Sequence, residues 1–295
     1  MKQKVLSHKA VLCVAGLLLL LAPLSLRAQY AAFAIVSDTH VGAPGSVYPE
    51  FIRHIEEEGT SMIVHTGDAI NNPGNLAQWA QFFDITGSDK TLYLAPGNHD
   101  INGQKSLDVY ADFFGAPYSS TSDGDTLLVF LNTELPGEES RIAGEQLAWL
   151  GSELAKPFRY KLVFLHESLF PLIRQHGLDR YAQERDNLHL LFVRSGVSLV
   201  VAGHDHLYDR SLRDGVTYVI VGRAGGKVWP TNNGRSTCYI TAKRTGDFYS
   251  FEVKDVNGKV KDAFAVKRGA QQKSAEGREN NRRTTASLGR LSLRD

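Results

Sequence analysis

Cysteine is nearly absent from this chain of 295 residues, which contains only Cys13 and Cys238. Cys13 lies in an apolar segment that we expect to be removed, so the mature chain would keep one thiol and form no intramolecular disulfide. Cys238 lies in an alternating, strand-like segment, which favours a packed thiol over a nucleophile. A disulfide scaffold is therefore excluded, and stability must come from a hydrophobic core.

Excess charge of either sign is also absent, because 33 Lys and Arg residues offset 32 Asp and Glu residues to leave a net charge of +1. Such a chain has no overall field that would steer it onto nucleic acid, so no nucleic-acid partner is indicated. The composition, 42% hydrophobic and 22% charged, is typical of a globular protein, and the length allows a sizeable core.

A long hydrophobic run is found near the N-terminus. Three lysines precede the uncharged segment 10–26, and a small residue of the kind found at cleavage sites follows at Ala28. This pattern predicts that residues 1–28 are an export signal peptide, which would make the protein periplasmic or extracellular. The alternative is an uncleaved membrane anchor, and contact with a membrane is expected only in that case. Removal is favoured because the run is slightly shorter than the roughly 20 residues that a membrane span needs.

The other end of the chain is polar and arginine-rich. Residues 267–295 contain few large apolar side chains. This composition predicts a disordered basic tail. Residues 29–266 would then form the folded domain.

Within that domain, short apolar runs alternate with amphipathic stretches. Strand-like runs occupy 31–36, 61–65, 91–95, 126–131, 161–165, 197–202 and 216–221. Helix-like spacing appears between them, as in Val47, Phe51 and Ile55 with Gly59 as a stop. The alternation predicts an α/β domain whose strands are buried between helices, and the strand-rich last third suggests a second sheet.

Residues of metal-binding type follow five of these strands. They are Asp38, His40, Asp68, Asn98, His99, Asp100, His166, His204 and His206. Any one of these segments could be a turn, a cap or a core histidine. The carboxyl ends of strands are, however, where ligands bind in open α/β sheets, so the joint pattern predicts one cluster assembled from five separated segments.

This combination of residue types suits a pair of divalent ions. Two ions roughly 3.5–4 Å apart can activate a bridging hydroxide for phosphoryl transfer. Such a pair needs mixed oxygen and imidazole ligands and at least one carboxylate able to bridge. Because no cysteine is among the candidates, we expect ions of the manganese, iron, cobalt or zinc kind.

The same segments resemble a known family. SDTH at 37–40, HTGDAIN at 65–71, PGNHD at 96–100, FLHES at 164–168 and AGHDH at 202–206 resemble, in order and spacing, the five motifs of the calcineurin-like metallophosphoesterase superfamily. The resemblance implies a four-layer α/β/β/α sandwich of two mixed β-sheets flanked by helices, with a dinuclear metal site at the strand ends. Residues 29–266 would be its catalytic domain.

The resemblance also implies a role for each candidate residue. Asp38, His40 and His206 would hold the first metal, Asn98, His166 and His204 would hold the second, and Asp68 would bridge the two. His99 would contact the phosphate and protonate the leaving group, and Asp100 would orient His99. Together with the predicted signal peptide, the resemblance implies an exported, metal-dependent phosphoesterase that acts on a small phosphate mono- or diester.

Two alternatives remain open. One is a binding module that keeps the fold without catalysis, and the other is a narrow-specificity hydrolase of a diphosphate or phospholipid. The loops at 42–50, 101–122, 134–142 and 167–185, where specificity would be determined, carry no interpretable pattern. A purple acid phosphatase site is not expected, because His40 and Asn71 stand where that branch has a glycine and a tyrosine ligand.

Several other basic residues could contact a substrate. His176, Arg210, Arg223 and Lys227 lie near the predicted site in sequence, although solvated charges are the simpler interpretation of the last three. His65 lies within a strand, where packing is favoured over ligation, and His54 and His189 lie in amphipathic helices.

Overall fold

A computed structural model describes residues 32–226 and 237–267, which form two six-stranded mixed β-sheets with helices on their outer faces. The strands are β1 Ala32–Val36, β2 Met62–His65, β3 Thr91–Leu94, β4 Ser119–Asp123, β5 Thr126–Phe130, β6 Tyr160–Phe164, β7 Leu199–Ala202, β8 Asp209–Arg213, β9 Val216–Ile220, β10 Tyr239–Thr245, β11 Phe248–Lys254 and β12 Val260–Lys267. The helices are α1 Tyr48–Glu57, α2 Leu76–Thr86, α3 Gln104–Phe114, α4 Gly144–Ala155 and α5 Ala182–Ser195. The predicted signal peptide, Lys227 and almost all of the predicted tail lie outside the described residues.

Both sheets contain a block of parallel strands, which reaches the β3 edge in the first sheet and is flanked by an antiparallel strand at each edge in the second. The first sheet runs β12-β11-β10-β1-β2-β3, with β1, β2 and β3 parallel to one another. The second runs β4-β5-β6-β7-β9-β8, with β5, β6, β7 and β9 parallel. Parallel neighbours need a crossover connection, which α1, α2, α4 and α5 provide. As a result, the carboxyl ends of the parallel strands in each sheet lie along one edge.

The central core lies between the two sheets. Its side chains come from both inner faces, and Phe33 of β1 meets Phe164 of β6 in an edge-to-face contact with ring centroids 6.3 Å apart. Burying one such side chain fully contributes roughly 1.5–3 kcal/mol. This layer holds the two sheets together and thereby fixes the distance between the metal-binding segments that follow β1 and β6.

Two outer cores complete a four-layer α/β/β/α sandwich. On the first sheet, α1 and α2 bury Tyr48, Trp79 and Phe82, and the rings of Tyr48 and Phe82 stack with centroids 5.4 Å apart. On the second sheet, α4 and α5 bury Leu150 and Phe192 among their apolar residues. The predicted fold class is confirmed. Within the described part of the chain, no helix combines the length and apolarity that a membrane span requires.

Candidate metal centre

The five motif segments meet at one edge of the sandwich. Backbone hydrogen bonds of 2.9 Å, from the amides of Asp38 and His40 to the carbonyls of Gly67 and Asp68, join the ends of β1 and β2. In the second sheet, the amide of Gly203 donates to the carbonyl of His166 at 2.9 Å, which joins the ends of β7 and β6. Hydrogen bonds of the backbone alone therefore join these strand ends in pairs.

The backbone at this edge is held in an unusual conformation. Positive φ angles occur at Asp38 (51°), His40 (43°), Asp68 (56°), His204 (70°) and His206 (54°). Residues other than glycine rarely adopt such angles, and each instance costs on the order of 1–3 kcal/mol. Strain of this kind persists only where the surrounding structure enforces it, and it clusters at functional sites. Here it aims side chains from neighbouring turns at the same point.

One set of side chains, the first ligand group, consists of Asp38, His40, Asp68 and His206, and it offers donor atoms that all lie within 4.8 Å of one another. The Nε2 atoms of His40 and His206 are 3.1 Å apart. Asp68 Oδ2 lies 3.6 Å from His40 Nε2, and Asp38 Oδ1 lies 3.4 Å from His206 Nε2. These are the residues predicted for the first metal, together with the predicted bridging carboxylate.

The second ligand group consists of Asp68, His166 and His204. His166 Nε2 lies 3.4 Å from Asp68 Oδ1 and 3.1 Å from His204 Nδ1. Asn98 Oδ1 is 3.3 Å from the same His166 nitrogen, so its amide oxygen faces this group as well. Asp68 belongs to both groups, and it turns one carboxylate oxygen towards each. A bridging carboxylate would occupy this position.

The chemistry of these residues fits two divalent ions. Pairs of imidazole nitrogens facing each other at 3.1 Å, beside buried carboxylates, are placed to share cations. The donor set is nitrogen and oxygen without thiolate, which suits borderline ions such as manganese, iron, cobalt and zinc. Asp38, His40 and His206 would hold one ion, Asn98, His166 and His204 the other, and Asp68 would contact both.

Hydrogen bonds behind the donor atoms orient them. The hydroxyl of Ser37 donates to Asp38 Oδ2 at 2.6 Å, and the amide of His99 donates to Asp68 Oδ1 at 2.8 Å. His166 Nδ1 donates to the carbonyl of Thr66 at 2.8 Å, which turns Nε2 towards the site. Such contacts fix the tautomer and the orientation of metal-binding side chains.

Two glycines allow this close packing. A side chain at Gly67, whose φ is 97°, would collide with the ring of His166, and one at Gly97 would collide with the carboxylate of Asp68. Glycine is required at the first position by its backbone conformation and at both by the lack of space.

The charges at the site favour ionised carboxylates and a protonated His166. Burial opposes protonation of His166, but the charge and the hydrogen bond of Asp68 outweigh it and raise the pKa of His166 well above its usual range. Burial opposes ionisation of Asp38, but the hydrogen bond and charge of His206 outweigh it and lower the pKa to about 2. Burial likewise opposes ionisation of Asp68, yet the His166 charge brings its pKa well below the usual range. Burial and repulsion from His166 lower the pKa of His204 to about 3. Both carboxylates are therefore anionic at neutral pH, and His204 is neutral.

The predicted catalytic residues, His99 and Asp100, form hydrogen bonds with different parts of the backbone. His99 donates from Nδ1 to the carbonyl of Asn71 at 2.7 Å, and its ring meets that of His40 edge-on with centroids 4.6 Å apart. Asp100 was expected to orient His99; the hydrogen bonds of its carboxylate run to other groups, and that role stays a prediction. Its buried carboxylate accepts from the backbone amides of Gly97 at 2.9 Å, Ala69 at 2.9 Å and Ile70 at 3.2 Å.

Asp100 therefore joins the loop after β3 to the loop after β2 and supports the site from behind. Burial and the nearby charge of Asp68 raise its pKa to about 7.

The other histidines and arginines named in the sequence analysis make contacts of several kinds. His65 is fully buried and hydrogen-bonds Thr39, which agrees with the packing interpretation. His54 contacts the carbonyl of Val256, and His189 contacts Tyr218 and Asp214. Arg210 forms an ion pair with Asp262 on β12, and Arg223 donates to the carbonyls of Gly225 and Gly226. His176 contacts Asp205, a residue that the sequence did not single out.

Two buried glutamates beside the site were also missed. Glu134 follows β5 and Glu167 follows His166, and their exposed fractions are only 5% and 3%. Burial and the charge of Glu167 raise the pKa of Glu134 to about 8. Glu134 lies just beyond the end of an apolar strand, so the rule that found the metal-binding residues would also have found it.

The sequence from residue 31 to residue 208, more than half of the chain, matches the family model of the calcineurin-like phosphoesterases. This chain belongs to that family. Enzymes of the family hydrolyse phosphoric esters and use two divalent metal ions, and the two ligand groups supply a dinuclear site for them. The identity of the ions is not fixed by the residues.

Individual calcineurin-like phosphoesterases show more distant similarity. Purple acid phosphatase 15 of Arabidopsis thaliana is 25% identical over 173 residues, which cover 50% of this chain and 32% of the relative. A probable cyclic nucleotide phosphodiesterase of Rhodococcus erythropolis is 27% identical over 224 residues, covering 69% of this chain and 70% of the relative. This chain thus spans about a third of the length of the first relative and over two thirds of the second.

Among solved structures, a purple acid phosphatase from yellow lupin (Lupinus luteus) seeds superposes with a TM-score of 0.65 at 19% identity. The superposition covers 81% of this chain and 54% of the lupin protein. At this level of identity the likeness establishes the fold alone. Asn71 directs its backbone carbonyl to His99, and the chain has no tyrosine at this position to serve as a ligand.

Proposed function

We propose that this protein is an exported, metal-dependent hydrolase of a small phosphate mono- or diester. The observation that carries the proposal is the position of Asp68, which turns one oxygen to each of two imidazole-containing groups. Complete ligand sets on both sides of one shared carboxylate suit a catalytic dinuclear centre. They also argue against a binding module that has lost catalysis, because nothing in either set is missing.

The bound ions would supply a nucleophile at neutral pH and would neutralise charge on the phosphate. The protein's part is to position the ester and to handle the proton of the leaving group. Hydroxide, formed by loss of one proton from water, attacks phosphorus, the bond from phosphorus to the ester oxygen breaks, and the leaving oxygen takes a proton. We assign the transfer of that proton to His99.

The tautomer of His99 supports this role. Its Nδ1 hydrogen is used in the bond to the carbonyl of Asn71, so Nε2 is the nitrogen that can carry a transferable proton. The backbone amide of His99 is bonded to Asp68, which ties the position of this imidazole to the shared carboxylate. A general acid held this way assists departure of an alkoxide.

The names of the relatives include both phosphatases and a phosphodiesterase, so both ester classes belong in the test. The chain from Gln29, loaded with Mn²⁺, is assayed on a nitrophenyl phosphodiester and on the matching monoester, with Asp68→Asn as the blank. We expect turnover of at least one ester that disappears in the blank. Turnover of the nitrophenyl esters that is unchanged in a folded Asp68→Asn variant would contradict the proposal. The role of His99 is tested on an alkyl ester, whose leaving group needs the proton. Bound metal without turnover of either ester would favour the non-catalytic binding module or the narrow-specificity hydrolase.

A further inference from the structure

Asp205 lies between His204 and His206 in the chain, but its carboxylate forms hydrogen bonds with the loop that follows β6. Asp205 is fully buried. Its Oδ1 lies 2.6 Å from Nδ1 of His176, and its Oδ2 accepts a hydrogen bond of 2.7 Å from the backbone amide of Leu172. Hydrogen bonds to an ionised carboxylate are among the stronger ones in proteins. Asp205 therefore fastens two points of this loop.

That loop returns to the metal centre through His176. The imidazole of His176 stacks on the imidazole of His204, with ring centroids 4.0 Å apart and an angle of 18° between the ring planes. His204 belongs to the second ligand group, and its Nδ1 faces His166. Asp205 thus holds His176, and His176 covers one face of a predicted metal ligand.

The stacking matters because, in the part of the chain that the structure describes, the remote ring nitrogen of His204 has no hydrogen-bond partner. A metal-binding histidine normally donates its second ring N–H to a carboxylate or carbonyl, which fixes the orientation of the ring. In His204 that atom is Nε2, and it is buried without a hydrogen-bond partner among the described residues. His166, in contrast, is fixed by the carbonyl of Thr66. The plane of His204 must therefore be set by what packs against it.

We propose that Asp205 is a positioning residue that sets the plane of His204 through His176. The same carboxylate holds the loop 169–178 against the second ligand group through the amide of Leu172. The loop then forms a fixed wall beside the metal centre, and changes in this loop alter both the affinity for the second ion and the fit of the substrate. The statement about substrate rests on the proposed phosphoesterase function, whereas the statements about the loop and the ion do not.

The test uses Asp205→Asn, His176→Ala and His176→Phe in the chain from Gln29. Asp214→Asn is the matched control, because Asp214 pairs with His189 at 2.9 Å in another histidine–aspartate contact, outside either ligand group. Hydrogen–deuterium exchange of the segment 169–178 is measured without metal, binding of Mn²⁺ is measured by calorimetry, and kcat and KM are measured on the better nitrophenyl ester.

We expect Asp205→Asn and His176→Ala to weaken binding of one of the two ions by about tenfold or more, the usual effect of removing a group that orients a metal ligand. Asp205→Asn should also speed exchange within 169–178. His176→Phe keeps a ring to stack on His204, so it should retain more of the metal affinity than His176→Ala does. The expected kinetic change is a higher KM with a smaller change in kcat, and Asp214→Asn should match the wild type throughout.

The proposal is overturned if His176→Ala leaves both ions bound with unchanged affinity and Asp205→Asn leaves exchange in 169–178 unchanged. It is also overturned if His176→Phe is as damaging as His176→Ala. Exchange and metal binding do not depend on turnover. A wild-type protein that binds two ions but hydrolyses no ester therefore contradicts the proposed function, while the same two measurements still decide whether Asp205 positions His204.

Discussion

Single residues at the metal centre carry separable tasks. Asp68 joins the two ligand groups, whereas His99 lies beside the first group and contacts it through His40. The task we propose for Asp68 is metal binding, and the task we propose for His99 is proton transfer. Substitutions at the two positions should therefore fail in different ways.

Replacing His99 with alanine removes the proposed proton donor while leaving the ligand groups intact. General acid catalysis contributes about 10²–10⁴-fold, and an alkoxide needs the proton far more than a nitrophenolate does. We expect kcat of His99→Ala to fall by about that factor on an alkyl phosphate and by much less on the nitrophenyl ester. Equal losses on both substrates, measured at saturating substrate, would contradict a leaving-group role.

Asn71 provides a spectroscopic prediction. Its side chain cannot give the tyrosinate ligand that colours iron in purple acid phosphatases, although relatives of that name match this chain. The protein loaded with iron should show no tyrosinate-to-iron absorption band in the visible spectrum. A purple protein would show that another tyrosine reaches the metal and that the predicted ligand set is incomplete.

At the scale of helices and strands, two glycines show that the position of a residue in a helix determines the effect of replacing it. Helix α5 ends at Gly196, which has φ 70° and ψ 37°, while Gly151 lies in the interior of α4 with open space at its Cβ position. The two glycines have opposite consequences for stability. Left-handed backbone disfavours any other residue by roughly 1–2 kcal/mol, whereas alanine is better than glycine by roughly 0.5–1 kcal/mol inside a helix.

Gly196→Ala should therefore lower the free energy of unfolding by about 1 kcal/mol, and Gly151→Ala should raise it by about 0.5 kcal/mol. Chemical denaturation of the two variants beside the wild type measures both. A shift of the same sign in both variants would contradict a left-handed end of α5 at Gly196 or a continuous α4 through Gly151.

The contact between β10 and the turn before β5 gives a prediction about pH. Arg244 donates to Asp125 through both terminal nitrogens, one of them at 2.9 Å, and this hydrogen bond lowers the pKa of the carboxyl. The ordinary pKa is about 3.9 in the unfolded chain. The pair therefore contributes its full stability above that value and loses it as the pH falls through the lower folded pKa.

Asp125→Asn should lower the free energy of unfolding at pH 7 by no more than about 1 kcal/mol, because the carboxyl is 38% exposed and solvent screens the pair. The difference between variant and wild type should shrink as the pH falls below the ordinary carboxyl pKa of about 3.9. Denaturation at pH 7 and over a series of acidic pH values checks it, and a difference that grows towards low pH would contradict the pairing.

The elements that the sequence revealed are those with a distinctive buried pattern. β5, β6 and β7 are buried at every residue, so each appears as an apolar run. The edge strands β4 and β8 are mostly polar and have no fully buried residue, and nothing in their sequence distinguishes them from loops. The predicted metal-binding residues were visible because they follow apolar runs in the sequence. The contacts of Asp100 and Asp205 were not, because they depend on the path of loops.

At the scale of the whole molecule, each of the two packed sheets supplies part of the predicted ligand set. Asp38, His40, Asp68 and Asn98 follow strands of the first sheet, and His166, His204 and His206 follow strands of the second. The site can form only when the sheets are packed in register. Metal binding and global folding should therefore be coupled, with added Mn²⁺ raising the unfolding temperature of the wild type.

The proposed export is tested on the intact chain. Expression of the full sequence with its N-terminal segment in a bacterial host should yield a chain that begins at or near Gln29 outside the cytoplasm. Intact-mass spectrometry of the recovered protein measures the cleavage point. A full-length chain retained with the membrane would contradict removal of the segment and support the uncleaved anchor.

The central claim is that Asp68 joins two ions into one catalytic site. The most direct test measures bound manganese per chain by elemental analysis, together with turnover of the nitrophenyl ester, in the wild type and in Asp68→Asn. We predict two ions per wild-type chain, and fewer ions with at least about a hundredfold less turnover in a variant that folds normally, because even groups that merely orient a ligand are worth 10–100-fold. An Asp68→Asn protein that binds two ions and turns over at the wild-type rate would contradict it.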